Sequence, residues 1–257
     1  MTIRTYIFCL FAIFFAAGTA YAADTTSLGV EGFYDRYREP APSVEEQAGY
    51  GSVTGNYTHD WGSTFGALDG RVSYGRDQYS SPDGSDSGIP QWELDGRVRG
   101  GVTLAFASGT LSPYVGLGVR YFVDEGKDTV TSLGYVGYDR RITQFYAPVG
   151  ATYTYLTESG WTIAPNLELD PLLYGNVNTR FQNFGYYNIN NTQNTGFGVR
   201  GEFMVGQQAQ GYSWQFGPFV RYWDIADSNV TTTPDGQGWI EPKNNRLQVG
   251  LALRALW

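Results

Sequence analysis

The residues of this chain able to do chemistry are few, and their spacing narrows what they can do. Cysteine and histidine each occur once, as Cys9 and His59. That excludes a cysteine-ligated metal, a disulfide within one chain and a Cys–His catalytic pair. His59 is followed by Asp60 and by no serine on either side, and it reads as a histidine at a turn. The carboxylate pairs Glu93/Asp95 and Glu168/Asp170 have the residue types for general acid–base work. Their i, i+2 spacing also places both members on one face of a strand, where an ion-paired interior would need them, and that is the preferred reading. The run Ser81–Gly88 is rich in oxygen ligands but lacks the spacing of a calcium-binding loop, and it is expected to be a flexible turn. No cofactor or metal is expected.

The elements that must carry these groups are strands. From Trp92 to Phe106 the even positions are apolar or glycine (Trp92, Leu94, Val98, Val102, Leu104, Phe106), while Glu93, Asp95, Arg97, Arg99 and Thr103 take odd positions. A period of two belongs to a strand with one apolar face, not to a helix. Similar alternation marks strands at about 27–37, 48–59, 64–78, 91–106, 111–123, 138–155, 161–175, 194–206, 212–224 and 243–257. These exceed the roughly 5–6 residues of a soluble strand and reach the roughly 9–11 that cross a bilayer. Their connections alternate between short (near 60–63, 107–110, 157–160 and 207–211) and long and polar (near 38–47, 79–90, 124–137, 176–193 and 225–242). The fold predicted is all-β: a transmembrane antiparallel up-and-down barrel of about ten strands, within a range of about eight to twelve, with both termini at the short-turn, periplasmic end.

Export is written at the N-terminus. Arg4, the apolar stretch Ile7–Ala17 and Ala20-Tyr21-Ala22 form the three parts of a signal peptide, cleaved after Ala22, so that residues 23–257 are the barrel. The apolar stretch is too short to be a comfortable membrane anchor. The whole chain carries −8; Arg4 is the sole charge in residues 1–22, so the mature chain is more acidic still and a poor match for nucleic acid.

A barrel in lipid must turn its charges inward, since Arg or Lys on the lipid face at the midplane costs about 2–4 kcal/mol. The predicted inward set is Glu31, Asp35, Asp69, Arg71, Glu93, Asp95, Arg97, Arg99, Arg120, Asn166, Glu168, Asp170, Arg200, Glu202, Arg221 and Arg254. The predicted outward set includes Leu68, Val98, Val115, Leu117, Val149, Leu167, Phe203, Val220 and Leu251. Opposite charges interleave in the first set, so the lumen is expected to be plugged by salt bridges, because an unpaired buried charge is costly. Arg36, Arg76 and Arg141 break the outward rule at the outer rim, where they would meet lipopolysaccharide phosphates or simply snorkel. Aromatic girdles are expected from Tyr57, Trp61, Tyr153, Tyr155, Trp161, Tyr212, Trp214 and Trp257 at one end and from Tyr34, Tyr37, Tyr50, Tyr74, Trp92, Tyr121 and Tyr222 at the other. Pro113, Pro148, Pro165, Pro171 and Pro218 fall within strands and should mark bulges or strand ends.

The last strand places Leu247, Val249, Leu251, Leu253, Ala255 and Trp257 on one face, with Trp257 C-terminal. This resembles the assembly signal of bacterial outer-membrane proteins, and Leu111–Phe122 likewise resembles a strand of the small outer-membrane β-barrel superfamily. The resemblance implies the outer membrane as location, its lipid and lipopolysaccharide as surroundings and the barrel-assembly machinery as a partner. Ten-stranded barrels of the omptin type are proteases that use Asp pairs with a His near the outer rim; here His59 lies at the opposite end. The expected role is therefore non-enzymatic: structural or surface interaction through the outer loops, including an extracellular ligand. A narrow porin-like channel is the alternative and a barrel enzyme the third choice.

Overall fold

The computed structural model describes residues 24–181, 185–209 and 211–257. Residues 1–22, expected to be a signal peptide, lie outside them. Ten long strands follow in chain order: β1 (Thr25–Glu39), β2 (Val44–Asp60), β3 (Thr64–Ser81), β4 (Gly84–Val102, prolonged by Leu104–Phe106), β5 (Gly109–Glu125), β6 (Asp139–Tyr146 and Val149–Leu156), β7 (Trp161–Arg180), β8 (Gly196–Ala209), β9 (Tyr212–Ile225) and β10 (Asn244–Leu256). Each pairs antiparallel with its chain neighbours. β10 returns to β1 from Ser27↔Leu256 to Arg38↔Asn245, so the sheet closes and has no free edge. Closure satisfies the backbone without water, which is what a sheet in hydrocarbon requires.

The alternation holds around the wall. Leu167 is 67% exposed, Val115 61% and Leu117 59%, whereas Glu93 and Asp170 are buried at 1% and 0%. Indole and phenol rings gather outside near the strand ends, as in the Trp161–Trp214 and Tyr74–Trp92 pairs (ring centroids 5.7 and 4.5 Å apart). Two expected girdle residues are corrected: Tyr37 and Tyr50 are each 5% exposed and point into the lumen. Their odd and even positions on β1 and β2 put them on the same side as Asp35 and Glu46, so parity overrides the tendency of Tyr for interfaces.

The loop end departs from expectation. The links near 38–47 and 79–90 are not open loops, because β1 and β2 pair to Glu39↔Val44 and β3 and β4 to Ser81↔Gly84. Ser81–Gly88 is therefore mostly strand and not a flexible turn: the turn is confined to Ser81–Gly84, with Gly84 at positive φ, and Gly88, also at positive φ, is the unpaired residue of a bulge opposite Asp77 and Gln78. Polar strands go on pairing beyond the apolar band because their outward side chains can face water there. Links 126–138 and 226–243 remain long. A short strand, Ile189–Gln193, folds back on β7.

The prolines divide. β6 breaks at Ala147-Pro148, where the register against β7 shifts and the Ala147 N–H donates to the Pro171 carbonyl. Pro113, Pro165 and Pro218 keep register with Ala151, Phe203 and Leu251 on one side, while on the other side the ladder is interrupted at each of them without a register shift. Each forfeits one ladder bond, which the long flanking ladders absorb.

Candidate functional site

The lumen is the chemically dense part of the molecule. Inward positions on every strand deliver side chains to it, and the charges join across it, not only along the wall. At mid-depth Glu93 (β4) accepts from Arg71 (β3, 2.8 Å), Arg120 (β5, 2.5 Å) and Gln248 (β10, 2.9 Å). Asp95 lies 2.9 Å from Arg200 on β8 and accepts from the Tyr146 hydroxyl of β6 at 2.6 Å. Arg200 Nε donates to Asp170 at 2.6 Å and stands 3.2 Å from Glu168, which also takes Arg97 at 2.6 Å and the Tyr114 hydroxyl at 2.8 Å. Toward the turn end Arg99 grips Asp69 with two bonds (2.6 and 2.9 Å), Arg221 grips Glu31 likewise (3.0 and 2.6 Å), and Arg254 reaches Glu202 at 2.8 Å. Paired guanidinium–carboxylate geometry of this kind is the strong form of the interaction. Asn166 fills the gap between, donating to Tyr114 and Thr152.

Apolar spacers separate these pairs. Phe33 stacks on Tyr50 (5.2 Å) and meets Phe219 edge-on (5.8 Å), beside buried Ala48, Ala164, Met204 and Ala252. A cavity of about 240 Å³ opens at the turn end and reaches inward to Arg71, Asp95 and Arg200.

The loop end holds a second cluster that sequence reasoning missed. Arg140 on β6 is the hub: Glu46 lies 2.6 Å away, Asp124 3.2 Å, Glu39 3.3 Å and Glu241 3.6 Å, each nearly buried. One layer deeper Arg246 of β10 binds Asp35 at 2.8 Å and packs over the Phe122 ring at 4.0 Å. Glu39 and Glu46 lie in a stretch read as a loop, and Glu241 has no strand to mark its parity. Arg246 alternates with Leu247 on the final strand and was legible there. Glu241 lies outside the strands; burial, with Glu39, Glu46 and Asp124 nearby, pushes its carboxyl up to about 7 against the pull of Arg140.

The remaining sequence candidates are dispersed. Arg36, Arg76 and Arg141 lie near the loop end of β1, β3 and β6; Arg76 Nε donates to the Tyr74 hydroxyl (3.1 Å). His59 lies at the turn end, its Nδ1 2.5 Å from Asp24 Oδ1. Outside the barrel wall a polar groove of about 620 Å³ runs between the projecting ends of β2, β3 and β4 and the 126–138 link, lined by Glu45, Gln47, Gln78, Ser85, Ser132 and neighbours.

No protein-family model matches the sequence, and no curated protein matches it. Solved structures do resemble the fold. The outer-membrane protease OmpT of Escherichia coli aligns with a TM-score of 0.55 at 8% identity, over 93% of this chain and 99% of that one. The translocator domain of the autotransporter NalP of Neisseria meningitidis aligns at 0.45 and 12% identity, over 92% and 88%. Neisserial surface protein A aligns at 0.36 and 10%, over 91% and 98%. At such identities the likeness speaks to the fold and not to the activity: the chain has the closed, ten-stranded antiparallel barrel fold of bacterial outer-membrane proteins.

Proposed function

We propose that this protein is a plugged outer-membrane barrel that works through its external end and not as a pore or an enzyme. The observation that carries the reading is the cross-lumen network at mid-depth, where Arg71, Arg120 and Arg200 from three strands converge on Glu93, Asp95, Glu168 and Asp170. In buried ion pairs, removing one partner leaves an uncompensated charge and is strongly destabilising. A solute crossing the barrel would have to break several of them at once.

The external end offers what a binding surface needs. Leu133 (66% exposed), Tyr186 (72%) and Val230 (63%) stand out on the links, and the polar groove beside Ser85 and Ser132 gives hydrogen-bonding partners. Arg36, Arg76 and Arg141 would hold lipopolysaccharide phosphates at the rim, where arginine suits phosphate. Cleavage after Ala22 and delivery by the barrel-assembly machinery complete the proposal. Planar-bilayer recording of the refolded protein tests it. Rare or no openings are expected; a large, steady conductance would establish the channel reading instead.

A further inference from the structure

The loop-end chamber is out of charge balance. Among the described residues six buried carboxylates (Asp35, Glu39, Glu46, Asp77, Asp124 and Glu241) share it with two guanidiniums, those of Arg140 and Arg246. Below it, carboxylates and arginines alternate in near-equal number. Asp77 is the sharpest anomaly. It is 1% exposed, and among the described residues neither carboxylate oxygen has a hydrogen-bond donor and it takes part in none of the ion pairs. Glu46, Asp35 and Asp124 are among the charged groups that act most strongly on it, with Arg246 opposing them. Asp35 and Asp124 each also present one oxygen without a donor. A carboxylate buried among carboxylates is strongly disfavoured unless positive charge reaches it.

We infer that the chamber around Asp77 is a binding site for one divalent cation of the magnesium or calcium class. Every free ligand atom is a carboxylate oxygen, the donor such hard ions prefer. Among the described residues no three carboxylates converge closely enough to enclose an ion completely. The ion is thus held by Asp77 with at most one further carboxylate and keeps part of its water, the mode magnesium favours. Its charge offsets the acid excess that Arg140 and Arg246 leave, and ties β3 to β5 through Asp124 or to β1 through Asp35 at the point where the strands rise above the apolar band.

The test uses the refolded barrel, with magnesium or calcium chloride alone as the ligand. In chelator the wild type should unfold at a lower temperature than in excess divalent cation, by on the order of 5 °C at a hundredfold excess over Kd. Asp77→Asn should unfold in chelator no lower than the wild type, since it removes an unpaired charge, and should lose the response to divalent cation. A Glu45→Gln control on the outer wall should keep it. Terbium luminescence sensitised by the nearby Tyr50 gives a second readout on the wild type, independent of how the variant folds. An unfolding temperature indifferent to divalent cation, with no terbium signal displaced by calcium, would overturn the site and assign the missing charge to protons. A cation response that persists in Asp77→Asn would overturn it equally.

Discussion

Arg200 on β8 and Asp95 on β4 meet 2.9 Å apart across the lumen, although their strands are not neighbours in the wall. The Tyr146 hydroxyl joins them, donating to Asp95 at 2.6 Å and accepting from Arg200 Nη2 at 2.8 Å. This bridge fastens opposite sides of the cylinder to each other, which the backbone ladder alone cannot do.

Removing its hub should be severe. Arg200→Ala strands Asp95, Glu168 and Asp170 with less positive charge than they need. A loss of about 3–5 kcal/mol is expected in urea unfolding from lipid vesicles. Channel recordings on the same variant should show openings that the parent lacks.

Gly118 lies under the ring of Tyr146, and a methyl added there would collide with that ring. Gly118→Ala should destabilise the barrel by about 1–3 kcal/mol and weaken the bridge above it. Gly32→Ala, where the space is open, should be close to neutral by the same urea titration.

The lipid-facing register has its own test. Leu167→Arg sets a charge at a position that is 67% exposed on the apolar wall and should cost about 2–4 kcal/mol when the barrel folds into bilayers. In detergent-free water-exposed territory, Gln47→Arg at the loop end should cost far less.

Glu241 should make docking of the 226–243 link depend on pH. Its carboxyl is raised from 4.5 to about 7 when the link is docked, so the docked state favours the protonated form. Docking is then strongest below pH 4.5 and weakens as pH rises through 7. Hydrogen exchange across 226–243 should accelerate between pH 5 and pH 8 after correction for intrinsic rates, and Glu241→Gln should flatten that change.

Replacing Arg36, Arg76 and Arg141 together with Gln should lower lipopolysaccharide retained on the purified barrel. Unchanged retention would show that these side chains only snorkel.

What the amino-acid order determined by itself was the wall. A side-chain period of two sorts Leu167 outward and Glu168 inward with no reference to any other strand, and ten such segments separated by alternating turns leave few ways to close. The lumen partners were not so determined. Glu93 could have met any arginine of the inward set, and its choice of Arg71, Arg120 and Gln248 follows from strand stagger and barrel width, which appear only after closure. The acid-rich chamber is a tertiary product in the fuller sense. Glu39 and Glu46 look like loop residues in the sequence, and Glu241 is far from both, yet pairing beyond the apolar band and the fold-back of the last link bring all three to Arg140. Local alternation encodes which face a residue takes, whereas the identity of its partner across a lumen depends on a circumference that no short stretch contains.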